Sequence, residues 1–186
     1  NVDISEVTRE QRGRAKAVNF GIAYGQGAFG LSQTLGIPRG EAKQIIDDYF
    51  AQFPGVRNYM DEMIGFCRTH GYIKTLMGRR RYLPDITSAN NTVRAQAERI
   101  AINAPMQGSA ADIIKVAMVN IHRDIREQGL KSRLLLQVHD ELVFDAHQDE
   151  LDALKSMVRR RMEGAMALDV PLVVDMGVGK NWLEAH

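Results

Sequence analysis

The stretch QVHDELVFD, residues 137–145, sets His139, Asp140 and Glu141 between two short apolar runs that read as paired strands. Adjacent carboxylates repel each other, and a bound divalent cation is a common way to offset that repulsion. Oxygen donors point to magnesium or manganese, because a structural zinc site would want cysteines and more histidines. Magnesium takes one or two protein carboxylates and fills its shell with water and phosphate, so the chemistry suggested is phosphoryl or nucleotidyl transfer. The bend adds a second signal. Two-residue hairpins favour Asn-Gly or Asp-Gly, and neither His139-Asp140 nor Asp140-Glu141 suits such a turn. A local rule broken between two regular strands is where functional residues are expected. A solvent-exposed polar turn is the alternative.

Farther upstream, Arg12, Lys16, Phe20 and Tyr24 recur every four residues. Each step of four turns a helix by about 400°, so the four side chains share one broad stripe. The stripe is cationic at one end and aromatic at the other, which suits a nucleotide: cations hold phosphate oxygens while rings pack on sugar or base. The alternative is that the rings are core and the cations their solvated neighbours. Gly21 and Gly25 sit beside the rings. Glycine inside a helix costs about 1 kcal/mol relative to alanine, which suggests that something approaches closely there.

A third set, Arg99, Asn103 and Gln107, is again spaced by four. All three can donate hydrogen bonds, and every base pair shows acceptors in the minor groove, so such a row could hold duplex DNA of any sequence. Capping of helix ends broken at Pro105 is the competing explanation.

Composition sets the frame around these residues. The chain has 186 residues, 45% hydrophobic and 25% charged, with a formal charge of +1. This describes an ordinary globular protein long enough to bury a core. No run approaches the roughly 18 apolar residues that span a bilayer, and NVDISEVTREQ lacks a signal-peptide profile, so no membrane partner is expected. Cys67 is the single cysteine and excludes an internal disulfide. A start at Asn suggests a piece of something longer. The net charge does not argue for nucleic acid, but cations gather in RTHGYIKTLMGRRRYLP without an intervening acid, whereas Asp140 to Asp152 is acid-rich. A solvated surface is the competing account of those arginines.

The elements follow from local signals. Thr8 with Gln11 is a capping-box pattern opening a helix over about 9–24. Two helices broken at Gly36 to Pro38 come next, the second ending before Pro54, and another over about 56–70 stops at Gly71. Alternation around Met77-Gly78 predicts a small hairpin. Residues 91–128 are helical but interrupted at Pro105, with Ser109 and Asp112 as a fresh capping box. RLLLQV and LVFDA form the strands flanking the bend, 149–168 is an amphipathic helix, and PLVVDMGVG is a closing strand. The class is α+β.

Together these stretches resemble the family A DNA polymerases, the group of bacterial DNA polymerase I. RGRAKAVNFGIAYG follows the pattern R-x3-K-x2-NFG-x2-YG of the nucleotide-binding helix of the fingers, and QVHDELVF is similar to the palm catalytic motif. RRRYLPDI and AERIAINAPMQGSAADIIK match in the same order, and the similarity runs from about Val7 to the closing NWLEAH. The resemblance implies fingers over residues 1–93 and a palm part over 94–186. It implies that Arg12 and Lys16 bind the triphosphate of the incoming dNTP, that Lys16 protonates the departing pyrophosphate, and that Phe20 packs on the sugar. Tyr24 would lie at the templating position, Arg99, Asn103 and Gln107 on the primer-template DNA, and His139 at the primer terminus. Asp140 would be a catalytic metal ligand with Glu141 in support. Two Mg2+ ions, or Mn2+, would serve the complete enzyme, whose setting would be the bacterial cytoplasm at the nucleoid.

One departure matters. The family draws a second catalytic aspartate from a sequence similar to D-Y-S-Q-I-E, and no stretch here matches it, so the rest of the polymerase chain is an implied partner. The isolated chain is expected to bind DNA or nucleotide weakly and not to extend primers. A non-catalytic DNA- or nucleotide-binding module and a metal-dependent phosphohydrolase are the competing functions.

Overall fold

The turn signals in the sequence become helix ends. A computed structural model describes residues 3–185; Asn1, Val2 and His186 lie outside the described residues. Helix α1 (Arg9–Ala23) opens with the expected capping box, in which the Gln11 N–H donates to Thr8 Oγ1 at 3.2 Å and the Thr8 N–H donates to Gln11 Oε1 at 2.8 Å. Helices α2 (Ala28–Leu35) and α3 (Arg39–Gln52) are parted by Gly36-Ile37-Pro38. Helix α4 (Pro54–His70) starts on the proline that ends its predecessor, since proline lacks only a donor that the first turn leaves unused. It stops at Gly71, φ 74°, a left-handed cap.

Strands β1 (Tyr72–Lys74) and β2 (Arg80–Tyr82) form an antiparallel hairpin, and helix α5 (Asn91–Glu127) follows. Asn90 Oδ1 accepts the Thr92 N–H at 2.9 Å at the start of α5. The expected break at Pro105 is absent: α5 runs through it, and Ser109 and Asp112 are buried inside the helix instead of capping a new one. Proline removes one ladder donor, but packing holds the helix on course. Ala97, Ala101 and Ala104 press against Cys67, Ile73, Leu83 and Ile86, and beside the proline Tyr59 Oη donates to the Ile102 carbonyl at 3.0 Å. Burial pushes the Tyr59 hydroxyl's pKa up, so it keeps the proton it donates.

The chain divides into two compact units, one ending at Gln107 and the other beginning at Gly108. In the second, β3 (Arg133–Val138) pairs antiparallel with β4 (Glu141–Asp145), with a register irregularity between Leu134 and Leu136. The core joins Ala117, Ile121 and Ile125 of α5 to Leu154, Met157 and Val158 of α6 (Leu151–Glu163), with Leu142 and Phe144 of β4 packed on it. Helix α6 is shorter than the predicted 149–168: a single 3₁₀ turn, Gln148–Glu150, precedes it, and Gly164 ends it.

The predicted closing strand does not form. In PLVVDMGVG burial alternates, with Leu172, Val174 and Met176 half-buried, but no strand pairs with it among the described residues. The Val174 N–H instead donates to Glu163 Oε1 at 3.2 Å. A short helix, α7 (Trp182–Ala185), closes the chain. The α+β class holds, as helices with two small antiparallel sheets among the described residues.

Candidate nucleotide and nucleic-acid site

Helix α1 buries only Ile22 completely; its stripe faces outward. Arg12 and Lys16 are exposed, and Phe20 and Tyr24 are 48% and 42% exposed, so the rings are not core. They form a short array: Lys16 Nζ lies 5.7 Å from the Phe20 ring centroid, and the Phe20 and Tyr24 rings stack at 5.9 Å and 19°. A cation, then two near-parallel rings, is an order that can hold phosphate at one end and flat or apolar groups at the other.

The C-terminal end of this helix is fixed from two sides. Gln26 folds back over Gly21 and Gly30, where any Cβ would collide with its side chain, and its Nε2 donates to Thr34 Oγ1 at 2.9 Å. Gly25, φ 75°, lies where a Cβ would be 3.3 Å from Arg99 Cγ. The close approaches that Gly21 and Gly25 permit are therefore made by Gln26 and Arg99 of the chain itself. Gln26 is a positioning residue that helical spacing did not mark; the glycines around it were the available signal.

Because α5 is unbroken, Arg99, Asn103 and Gln107 do lie along one face of it. Arg99 and Gln107 are exposed. Asn103 is half-buried and ties this row to the first: its Nδ2 donates to the Tyr24 carbonyl at 3.3 Å, while its Oδ1 is buried without a hydrogen-bond partner. The first unit thus brings seven of the residues marked in the sequence, Arg12 through Gln107, onto two helices joined at Tyr24.

The second unit holds the acidic bend. Val138 pairs with Glu141, leaving His139 and Asp140 as a two-residue loop. His139 has φ 54°, the one positive value at a non-glycine among the described residues. That conformation is costly for a residue with a Cβ, by roughly 1 kcal/mol or more. Gln137 Nε2 donates to the His139 carbonyl at 2.8 Å and braces the tip. Asp140 is exposed and Glu141 half-buried. No three His, Cys, Asp or Glu residues gather in a metal-holding arrangement among the described residues. An exposed carboxylate oxygen at a tip still fits a hard cation that takes its other ligands from phosphates, water and a further carboxylate.

Two polar devices brace this unit, one at the start of β3 and one between α5 and α6. Glu150 Oε1 accepts the Lys131 N–H, and Oε2 accepts both the Ser132 N–H and its hydroxyl, at 2.9, 2.9 and 2.7 Å. These bonds, the Lys131 N–H first, hold the Glu150 carboxyl down to about 2. Asp124 on α5, almost fully buried, receives Arg161 of α6 as a fork, Nε at 2.7 Å and Nη2 at 2.8 Å, with Arg160 at 3.7 Å. The Arg161 hydrogen bonds hold the Asp124 carboxyl below its ordinary range. Neither device was visible in the sequence, because each joins residues far apart in the chain.

The geometry has parallels among known proteins. The sequence pattern of DNA polymerase family A matches residues 1–184. The chain is 50% identical to DNA polymerase I of Caldicellulosiruptor bescii, covering 98% of this chain and 22% of that protein. It is 53% identical to DNA polymerase I of Bacillus subtilis, over 97% of this chain and 20% of that one. Among solved structures, the POL domain of Pol1 from M. smegmatis, in complex with DNA primer-template and dNTP, superposes with a TM-score of 0.96 at 52% identity. That match covers 99% of this chain and 32% of the other. The chain spans about a fifth of the length of the curated relatives. A helix face and a hairpin tip in this order, matched over nearly every residue, place the chain in DNA polymerase family A.

Proposed function

We propose that this chain is the fingers part, residues 1–93, and the C-terminal palm part, 94–186, of an enzyme that makes DNA on a template. A primer 3′-hydroxyl attacks the α-phosphate of a dNTP and pyrophosphate leaves. The exposed cation-ring array of α1 carries this reading, in a family member whose solved neighbour is described with primer-template and dNTP.

Each residue then has a task. Arg12 and Lys16 grip the triphosphate, and Lys16 hands a proton to the leaving pyrophosphate. Phe20 packs on the sugar and Tyr24 on the templating base position. Arg99, Asn103 and Gln107 follow the minor groove of the duplex, where donors are accepted by any base pair. His139, held at the strained tip, meets the primer end, and Asp140 with Glu141 supplies negative oxygen ligands. Two Mg2+ ions, or Mn2+, held by Asp140 with phosphate oxygens and a second aspartate from the rest of the polymerase chain, would lower the hydroxyl's pKa and neutralise phosphate charge. The exposed apolar side chains of the second unit, Leu135, Leu136, Val170 and Val173 among them, fit a chain that is covered by further polymerase segments. Bacterial cytoplasm at the nucleoid is the setting that this reading implies.

Two measurements test it. The 186-residue chain alone, with primer-template, dNTP and Mg2+, is expected to show no primer extension; robust extension would overturn the need for an outside aspartate. In the longer polymerase, Lys16→Ala is expected to slow single-turnover incorporation by roughly 100-fold, the scale of a lost general acid. Unchanged single-turnover rates would remove Lys16 from the chemistry.

A further inference from the structure

We propose that the outer face of the β1–β2 hairpin is a binding site for single-stranded DNA, resting on the DNA-synthesis reading only for the identity of the polyanion. Between Arg68 and Pro84 the chain carries five lysines and arginines and no acid. Arg68 is neutralised by Glu98 at 2.5 Å. No carboxylate pairs with Lys74 or Arg80 among the described residues.

The register shows what the hairpin does with those charges. Tyr72 pairs with Tyr82, Ile73 with Arg81, and Lys74 with Arg80. Side chains alternate along a strand, so Tyr72, Lys74, Arg80 and Tyr82 share one face. Ile73, 1% exposed, anchors the opposite face in the core. Like charges directly across an antiparallel pair destabilise it, so setting Lys74 against Arg80 goes against hairpin stability. Each cation settles over a ring: Lys74 Nζ lies 5.5 Å from the Phe66 centroid and the Arg80 guanidinium 4.6 Å from that of Tyr72. The rings continue into a ladder, with His70 stacked on Phe66 at 4.1 Å and Tyr72 against Tyr82 at 5.6 Å. Tyr82 ends the ladder and is 67% exposed.

A face of two unneutralised cations and an exposed terminal ring matches what single strands demand. Phosphates follow the cations, and a base stacks on a ring whatever its identity. An apolar protein partner would not select the facing charges, and a duplex would hide the base faces that the rings can meet. The site is therefore sequence-tolerant and salt-sensitive.

The test is fluorescence anisotropy of the 186-residue chain with a labelled oligo-dT of about 12 nucleotides, a length within the range that single-strand sites cover. The double variant Lys74→Ala/Arg80→Ala is expected to weaken binding at least tenfold and to reduce the logarithmic salt slope by about 1.4, two phosphate contacts at roughly 0.7 each. Tyr82→Ala should weaken binding at least fivefold with the slope unchanged. Arg81→Ala removes an equal charge from the other side of the strand and should change affinity less than twofold. An equal loss in that variant would show diffuse charge and overturn the site. If binding vanishes with Arg12→Ala/Lys16→Ala but not with the hairpin variants, the inference falls while the function proposed above stands. Thermal melts check folding of the variants. Photocrosslinking of the unaltered chain to a 5-iododeoxyuridine oligonucleotide decides independently: adducts on Tyr72 or Tyr82 support the site, and adducts only elsewhere refute it.

Discussion

The described residues form two antiparallel hairpins, and these break the rules of hairpin construction in different places. The β1–β2 turn obeys them: Gly78 supplies φ 79° and the Thr75 N–H and carbonyl close the loop with Arg79 and Gly78. Its conflict lies along the strands, where Lys74 faces Arg80. The β3–β4 hairpin ends in a regular Val138–Glu141 pair, and its conflict is at the tip, where His139 takes a conformation that glycine would hold without strain. On the functions proposed above, the location of the cost matches the shape of the ligand. Charge spread along a face suits an extended polyanion, whereas a histidine and a carboxylate projected from a point suit a primer end and a metal-bound phosphate.

The largest test of that contrast is catalytic. In the longer polymerase, Asp140→Ala is expected to lower single-turnover extension by on the order of 10³-fold while leaving primer-template affinity within about threefold, since a metal ligand acts on the transition state. Lys74→Ala/Arg80→Ala should do the reverse, changing single-strand affinity and leaving the rate at saturating DNA unchanged. Retained extension by the Asp140 variant would remove the catalytic distinction between the hairpins.

Next in size is the support beneath the second hairpin's unit. Arg161→Ala leaves the buried Asp124 carboxylate with only Arg160 at 3.7 Å. Breaking the pair from one side leaves the Asp124 carboxylate without its main partner and is destabilising, and chemical denaturation should show a lowered midpoint. Acid reaches the same unit through Glu150. Its carboxyl lies at about 2, below the ordinary 4.5, so the unfolded chain binds the proton more readily. The resulting stability is full above about pH 4.5 and drains away as pH falls toward 2. Asp124, also lowered, adds to the same slope. Glu150→Gln should flatten the stability profile between these pH values, and an unchanged acid slope would count against the Lys131 and Ser132 bonds.

What the sequence disclosed follows the reach of each interaction. Helix ends at Gly36, Pro54 and Gly71 were legible because capping and turn chemistry act within a few residues. The α1 stripe was legible because a period of four is a local geometry. Pro105 misled for the opposite reason: the burial of Ala97, Ala101 and Ala104 against a distant core outweighed a local breaker. PLVVDMGVG kept its alternation but not its pairing, since a strand needs a partner that its own residues do not specify. The latches that hold the sites escaped entirely, because Asn103 meets Tyr24 across 79 positions and Ser132 meets Glu150 across 18.

The smallest expected effect divides the two turns most directly. Gly78→Ala places a Cβ in open space but keeps φ positive, so the whole penalty is backbone strain, about 1 kcal/mol of stability. His139→Gly relieves that kind of strain while adding freedom to the unfolded chain, so stability should stay within about 0.5 kcal/mol of the parent or rise. Extension by the longer polymerase should nonetheless fall for His139→Gly, because the side chain proposed to meet the primer end is gone. Gly78→Ala should leave extension intact. A residue that is dispensable to the fold yet needed for synthesis would mark the tip as kept for function against local preference; if His139→Gly lost stability and kept activity, the strained histidine would be structural and the contrast between the hairpins would collapse.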